Sequence, residues 1–282
     1  WQRKREFWRM ANGLTEPFIR ITIRAKTRYM AREKKKLSLH FGLNRLDKKA
    51  YGGWEGILRG CIADAMAMAQ MCTNRGFTAA VRTDAQCTWA HFQEVVTKYA
   101  ETAKRGDTVY ISFSGHGGQR NNSQEADGQD ETLCFYDGEV SDGLVHQLFA
   151  KFKKSVNVVW WSDSCHSATN ARNVTWNKQE WASKEKPNGV IDNTYYGVGG
   201  TEKIETVCNL IGIAGCRDIQ VSYDGEANGA FTGNVLVYFK MGVEYGLTKM
   251  VKFYNNGMPM GQNPTLTHYS GSIVSRYRKI WS

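Results

Sequence analysis

Apolar and polar positions along the chain follow two periods. Leu37–Leu43, Thr78–Arg82, Val109–Ser114, Val156–Ser162 and Asn209–Ala214 are short apolar runs that read as strands, and Thr265–Tyr269 reads as a last one. Between them lie stretches with helical spacing. Ile57–Asn74 places Ile57, Cys61, Ala65, Met68 and Cys72 on one face, with Gly76 just past its end. Thr88–Ala103 carries the stripe Phe92, Val95, Val96 and Tyr99. Leu144–Phe152, Gly229–Met241 and Leu247–Tyr254 also read as helices. Val109–Ser114 and Val156–Ser162 are continuous enough to be buried on both faces. This alternation predicts an α/β fold: a mostly parallel central sheet of about six strands with helices on both faces.

Two long stretches break the pattern. Gln119–Val140 is polar, glycine-containing and acidic; Thr169–Thr206 is polar and rich in Asn, Lys, Trp and Gly. Both follow strand ends and read as functional loops. In a parallel sheet the ligand site lies beyond the carboxyl ends of the strands. Attention therefore falls on the residues after Ser114, Ser162 and Ala214.

Composition narrows the class. With 282 residues, 41% hydrophobic and 23% charged, the chain is globular, and disordered or collagen-like classes are excluded. No run of about 18 apolar residues is present, so no membrane span is expected. The start of the chain has no apolar stretch like that of a secretion signal. The seven cysteines show no CxxC pair and no zinc spacing, and they are expected to be reduced thiols in a cytoplasmic location.

The net charge of +10 is uneven: residues 1–36 hold twelve Lys/Arg against three acids, a surplus of nine. The expected division is a basic N-terminal arm, 1–36, and a folded domain, 37–282. The arm reads first as a solvated segment, with contact to nucleic acid or an acidic surface left open. It interleaves aromatics (Trp1, Phe7, Trp8, Phe18, Tyr29) but contains no motif that reads bases.

The chemistry sits at two strand ends. The third strand runs into Ser114-Gly115-His116-Gly117-Gly118, and the fourth into Asp163-Ser164-Cys165-His166-Ser167. Their spacing is about one strand–helix–strand unit, so adjacent strands would bring His116 and Cys165 to one edge. A thiol is mostly protonated at neutral pH, and the thiolate is the nucleophile. An imidazole can take that proton and return it to a leaving amine. The Gly117 and Cys165 N–H groups are candidate donors to the oxyanion. His166 ranks below His116, because neighbours on an extended chain point apart. Cys61 and Cys72 lie on an apolar helix face, Cys208 and Cys216 bracket a strand, and Cys87 and Cys134 have no glycine-flanked histidine near them.

At these residues the sequence resembles the caspase-like cysteine peptidases, and within them the metacaspases. The likeness rests on Tyr110-Ile111-Ser112-Phe113-Ser114-Gly115-His116-Gly117 and Asp163-Ser164-Cys165-His166-Ser167. It extends to Gly60-Cys61-Ile62-Ala63-Asp64-Ala65, to Ala214-Gly215-Cys216-Arg217-Asp218-Ile219-Gln220 and to Gly229-Ala230-Phe231-Thr232. It covers about residues 37–270 in order.

The resemblance implies a caspase-like three-layer sandwich, a His116/Cys165 dyad and cleavage of proteins or peptides after Arg or Lys. It also implies a pocket of Asp64, Asp163, Cys61 and Ser114. A carboxylate pair would attract a guanidinium or ammonium and reject an acid. Ala168 stands where the family usually has Gly.

No cofactor is required by this chemistry. Many metacaspases bind calcium through aspartates, and Asp127, Asp130 and Asp142 lie in the matching region. Ser141, Arg172 and Asn173 stand where further acids are expected, so calcium activation and any metal ligands stay open. Self-cutting, as in a zymogen, has basic candidates at Arg3–Arg5, Lys34–Lys36 and Lys184–Lys186. The loop 169–206, with Trp176, Trp181, Lys178, Lys184 and Lys186, would line the groove, cover it or be cut. A catalytically inactive scaffold of the same fold and a nucleic-acid-associated module built on the arm are the alternatives.

Overall fold

A computed structural model describes residues 32–121, 129–164, 174–176, 179–184, 186–187, 190, 194–196, 205–216, 222–240, 262 and 264–269. All the described strands and helices belong to the unit Lys34–Ser282. Residues 1–31 of the expected arm 1–36 and the predicted helix 247–254 lie outside the described residues.

The central sheet has six strands: β1 (Lys36–Gly42), β2 (Thr78–Thr83), β3 (Thr108–Ser114), β7 (Asn157–Asp163), β11 (Asn209–Ala214) and β13 (Thr265–Tyr269). They lie in the order β13-β11-β7-β3-β1-β2. Five are parallel, and β13 closes one edge antiparallel to β11 with a register shift at Gly212/Ile213. The α/β class and the mostly parallel sheet expected from the sequence are present, and β3 lies directly beside β7.

Period-2 alternation assigns the two faces. Leu39, Phe41, Val109, Ile111, Phe113, Val158 and Trp160 share one core with Phe92 and Val96 of α2 (Trp89–Thr102). Val145, Leu148 and Phe149 of α3 (Asp142–Ala150) belong to the same core. The opposite face carries Tyr110, Ser112, Ser114, Trp161 and Asp163. It packs on α1 (Cys61–Thr73), and Trp161 stacks on Phe231 of α4 (Ala230–Lys240) with ring centroids 4.5 Å apart. Gly42 allows the close approach of α1, because a Cβ there would run into the Cys61 carbonyl and the Ala65 side chain. Ser114 and Asp163 are a paired register position at the carboxyl edge of this second face.

Two expectations change. The helix read from Ile57 begins only at Cys61, and Ile57 is exposed. The cause is tertiary: the buried Asp224 carboxylate accepts hydrogen bonds from the Arg59 and Gly60 N–H groups, which sets the start of α1. The stretch 119–140 is mostly not loop. It holds β4 (Gly117–Asn121), β5 (Gln129–Phe135) and β6 (Gly138–Ser141), an antiparallel sheet edged by β10 (Tyr195–Tyr196). Its buried positions include Asp130, Thr132, Glu139 and Ser141, which bond one another. Burial of paired polar groups leaves no hydrophobic period to read. The stretch 169–206 likewise contains β8 (Val174–Trp176) and β9 (Gln179–Ser183), and β9 pairs with β12 (Tyr223–Asp224).

Candidate active site

β3 ends at Ser114, and His116 comes two residues later, buried at the sheet edge. Its ring is held on three sides. Nε2 lies 3.1 Å from the Gly56 carbonyl oxygen, Nδ1 lies 2.7 Å from the Lys184 carbonyl oxygen, and Trp54 packs with its centroid 4.7 Å away. Gly56 has a φ of +53°, and a Cβ there would lie 3.0 Å from His116 Cδ2, so glycine is what lets this turn bring its carbonyl to the ring. Both partner atoms are carbonyl acceptors. The imidazolium, with two N–H donors, satisfies both at once. With Nε2–H turned to Gly56, Nδ1 is the nitrogen that faces the Lys184 carbonyl.

Beside the histidine lies a buried acidic pocket. Asp64, from the first turn of α1, is 1% exposed, and Asp163, the last residue of β7, is fully buried. Asp64 accepts hydrogen bonds from Ser114 Oγ at 2.7 Å, Asn228 Nδ2 at 2.9 Å and the Gly229 N–H at 3.0 Å. Asp163 accepts from Ser222 Oγ at 2.7 Å and from the Thr232 hydroxyl and N–H at 2.7 and 3.1 Å. The Thr232 N–H lies in the first turn of α4, where the helix dipole favours an anion. Burial pushes the Asp64 carboxyl up to about 6, and repulsion from Asp163 adds to this. Lys184 and the Ser114 and Asn228 hydrogen bonds oppose the rise. Cys61 lines the same pocket, its thiol pushed up by burial and directed toward Asp224 Oδ1 at 3.8 Å.

The side chain inside this pocket is Lys184. It is fully buried, with Nζ 3.1 Å from Asp163 Oδ1, 2.9 Å from Ser114 Oγ, 3.2 Å from the Asp163 carbonyl oxygen and 3.4 Å from Asp64 Oδ2. Burial alone would push the ammonium down. The negative charges of Asp163, Asp64 and Asp224, together with Cys61, more than reverse that and hold it well above its ordinary value. Gly229 makes the room: a Cβ there would sit 2.5 Å from Lys184 Nζ and 2.7 Å from Asp163 Oδ2.

The Lys184 backbone is equally engaged. Its N–H donates to the Ser222 carbonyl at 3.0 Å, and its carbonyl accepts from the Gly117 N–H at 3.1 Å. Lys184 thus lies along the site as an extended segment, ammonium in the acid pocket and carbonyl between Gly117 and His116. The sequence pointed to Lys184 as a basic loop residue and, with Lys186, as one of three self-cutting candidates, not as an occupant of the acidic pocket. The roles of Ser222, Asp224, Asn228, Gly229 and Thr232 were not foreseen, because each depends on partners distant in sequence.

Cys165, His166 and Ala168 lie outside the described residues. Four described thiols sit in apolar or acidic surroundings that favour the protonated form. Burial pushes Cys72 up to about 12 and Cys208 up to about 11, and it raises Cys61 and Cys87 as well.

A family model described as "Caspase domain" matches residues 46–270. The chain belongs to the caspase-domain family. Metacaspase-1 of Mycosarcoma maydis is 25% identical over 254 residues, covering 73% of this chain and 61% of that protein. Metacaspase-1 of Schizosaccharomyces pombe is 23% identical over 264 residues, covering 75% and 60%. The caspase-domain chain therefore spans about three fifths of the length of these curated relatives. The crystal structure of a Geobacter sulfurreducens protein matches with a TM-score of 0.75 and 31% identity, covering 88% of this chain and 98% of that one. Residues 46–270 are thus a caspase-family domain whose distant relatives include metacaspase-1 proteins.

Of the aspartates considered for calcium, Asp130 is engaged by hydrogen bonds within the described residues. Asp130 gives one oxygen to Ser141 Oγ at 3.1 Å and the other to Tyr195 OH at 2.8 Å, and Asp127 lies outside the described residues. Among the described residues no group of three His, Cys, Asp or Glu side chains is placed to hold a metal ion, and no helix is long and apolar enough to cross a membrane.

Proposed function

We propose that this domain is an endopeptidase that cleaves after Arg or Lys through Cys165 and His116. The observation that carries the reading is the burial of Asp64 and Asp163 around one ammonium group. Two neighbouring buried carboxylates repel each other and are costly without a cation between them. A P1 lysine or arginine supplies that cation, and an aspartate or an apolar side chain does not. Selectivity then comes from charge, with Ser114 bridging the ammonium and Asp64.

The peptide backbone would bind as Lys184 does. The P1 N–H donates to the Ser222 carbonyl, and the P1 carbonyl accepts from the Gly117 N–H. Cys165 gives its proton to His116, and the sulfur bonds to the carbonyl carbon. The oxyanion is held by the N–H groups of Gly117 and Cys165. His116 then gives the proton to the departing amine as the C–N bond breaks, and water hydrolyses the thioester by the same steps. The Gly56 carbonyl keeps Nε2 occupied, so the proton moves at Nδ1.

Lys184 in the pocket supports a zymogen reading. The chain covers its own specificity pocket and lays the Lys184 carbonyl against His116, so Lys184 is the self-cutting site we favour. No step uses a metal.

The test is cleavage of fluorogenic peptides ending in Arg, Lys or Asp, by the protein and by Cys165→Ala, each with calcium or chelator. Cleavage after Arg and Lys that vanishes in Cys165→Ala and survives chelation is expected. Cleavage after Asp would overturn the assigned pocket, and dependence on calcium would overturn the metal-free reading.

A further inference from the structure

Beyond Lys184, the residue Lys186 is gripped as well. The Lys186 N–H donates to the Gly117 carbonyl at 2.8 Å, while the Gly117 N–H is bound to the Lys184 carbonyl. This pair of bonds is one step of a parallel ladder, and it fixes the register of the chain beyond the scissile position. In that register the Lys186 ammonium lies 2.9 Å from Glu139 Oε2. Its side chain is 10% exposed, and Glu139 is fully buried.

Glu139 is held rigidly. It sits in β6 opposite Cys134 of β5, its Oε1 accepts from the Thr132 hydroxyl, and its Oε2 also takes Arg120 Nε at 2.9 Å. Arg120 in turn lies over the Tyr195 ring, 4.1 Å from its centroid. Gly118 keeps the floor open, since a Cβ there would lie 2.8 Å from Glu139 Oε1 and 3.5 Å from Lys186 Cβ. A fixed, buried carboxylate that accepts an ammonium from the segment lying in substrate position has the form of a substrate subsite.

We propose that Glu139 forms a second acidic subsite, on the leaving-group side, which takes a Lys or Arg two residues after the cleaved bond. The inference rests on the reading that Lys184 occupies the P1 position. Cleavage would then be selective for a basic residue before the cut and another at the second position after it, as in Lys184-Glu185-Lys186.

The test uses internally quenched peptides with Arg before the cut, identical except for Lys, Gln or Glu at the second position after it. They are given to the protein and to Glu139→Gln. The expected kcat/KM for Lys exceeds that for Gln by about tenfold, as a buried charge-assisted hydrogen bond allows even when shared with Arg120, and Glu is cut most slowly. In Glu139→Gln the Lys/Gln ratio falls toward one while the preference for Arg over Asp before the cut is kept. Because the readout is a ratio within one protein, partial misfolding of the variant does not alter it, and the three peptides on the unaltered protein decide even if the variant fails to fold. Equal rates for Lys and Gln, or a preference that persists in Glu139→Gln, overturn the subsite.

A binding measurement separates this from the peptidase reading. With Cys165→Ala/Lys184→Ala, the Lys peptide is expected to bind about tenfold tighter than the Gln peptide by fluorescence anisotropy. If no peptide is cut under any condition the peptidase reading fails, and the binding ratio then decides the subsite alone, equal affinities overturning it.

Discussion

Replacing Lys184 by Ala should free the pocket, and the geometry sets the size of the effect. The ammonium makes charge-assisted contacts to Asp163 Oδ1, Ser114 Oγ and Asp163 O between 2.9 and 3.2 Å, with Asp64 Oδ2 at 3.4 Å. Contacts of this kind contribute about 1.5–3 kcal/mol each. Against them stand about 1–2 kcal/mol per ordered backbone residue and about 2 kcal/mol for the lysine rotamers. A net hold of about 2–3 kcal/mol leaves the site open in roughly one molecule in 30 to 150. The apparent affinity for an external peptide is reduced by that fraction.

The assay is fluorescence anisotropy of an Arg-ended peptide on Cys165→Ala, compared with Cys165→Ala/Lys184→Ala, so that neither cleavage nor self-processing intervenes. The double variant should bind roughly 50-fold tighter, and Cys165→Ala/Lys184→Arg should resemble the single variant. A gain of less than about threefold would refute the reasoning, since the lysine would then not compete with ligand.

The same contacts set further outcomes. Asp64 is ionised above about 6 and neutral below it, so a cationic side chain is held more weakly as pH falls through that value. In Lys184→Ala the opposing ammonium is gone, so the acid limb of peptide affinity should lie above pH 6. Affinity that rises as pH falls, in a titration by anisotropy, would contradict this. Asp163→Asn should lower kcat/KM on Arg peptides by about 100-fold, the cost of halving a buried charge complement, with kcat/KM measured beside an Asp peptide that stays uncut. Gly229→Ala places a methyl 2.7 Å from Asp163 Oδ2 and 2.9 Å from Asp64 Oδ2. It should reduce Arg and Lys cleavage at least tenfold while thermal melting shifts by a few degrees. His116→Ala should abolish turnover yet leave peptide affinity within a few-fold, since the pocket that holds the side chain is formed by other residues.

Much of the fold was readable from the chain alone. The buried strands β3, β7 and β11 stand out because a strand covered on both faces favours apolar side chains, and β11 and β13 fall on the predicted bounds. The glycine-flanked His116 and the acidic Asp163 stood out at adjacent strand ends for the same reason. Strand identity is a local matter, and periodicity records it.

Features built from polar groups buried in pairs were settled by folding instead. The sheet of β4, β5 and β6 was hidden because Thr132 meets Glu139 and Asp130 meets Ser141, pairings that no hydrophobic period reports. The start of α1 was displaced by Asp224, 164 residues from Gly60. Lys184 lies 120 residues from Asp64 and 68 from His116. A lysine in a polar stretch has the same sequence signature whether it is solvated or enclosed. Folding alone, by bringing Asp64, Ser114 and Asp163 around it, determines that this one is enclosed.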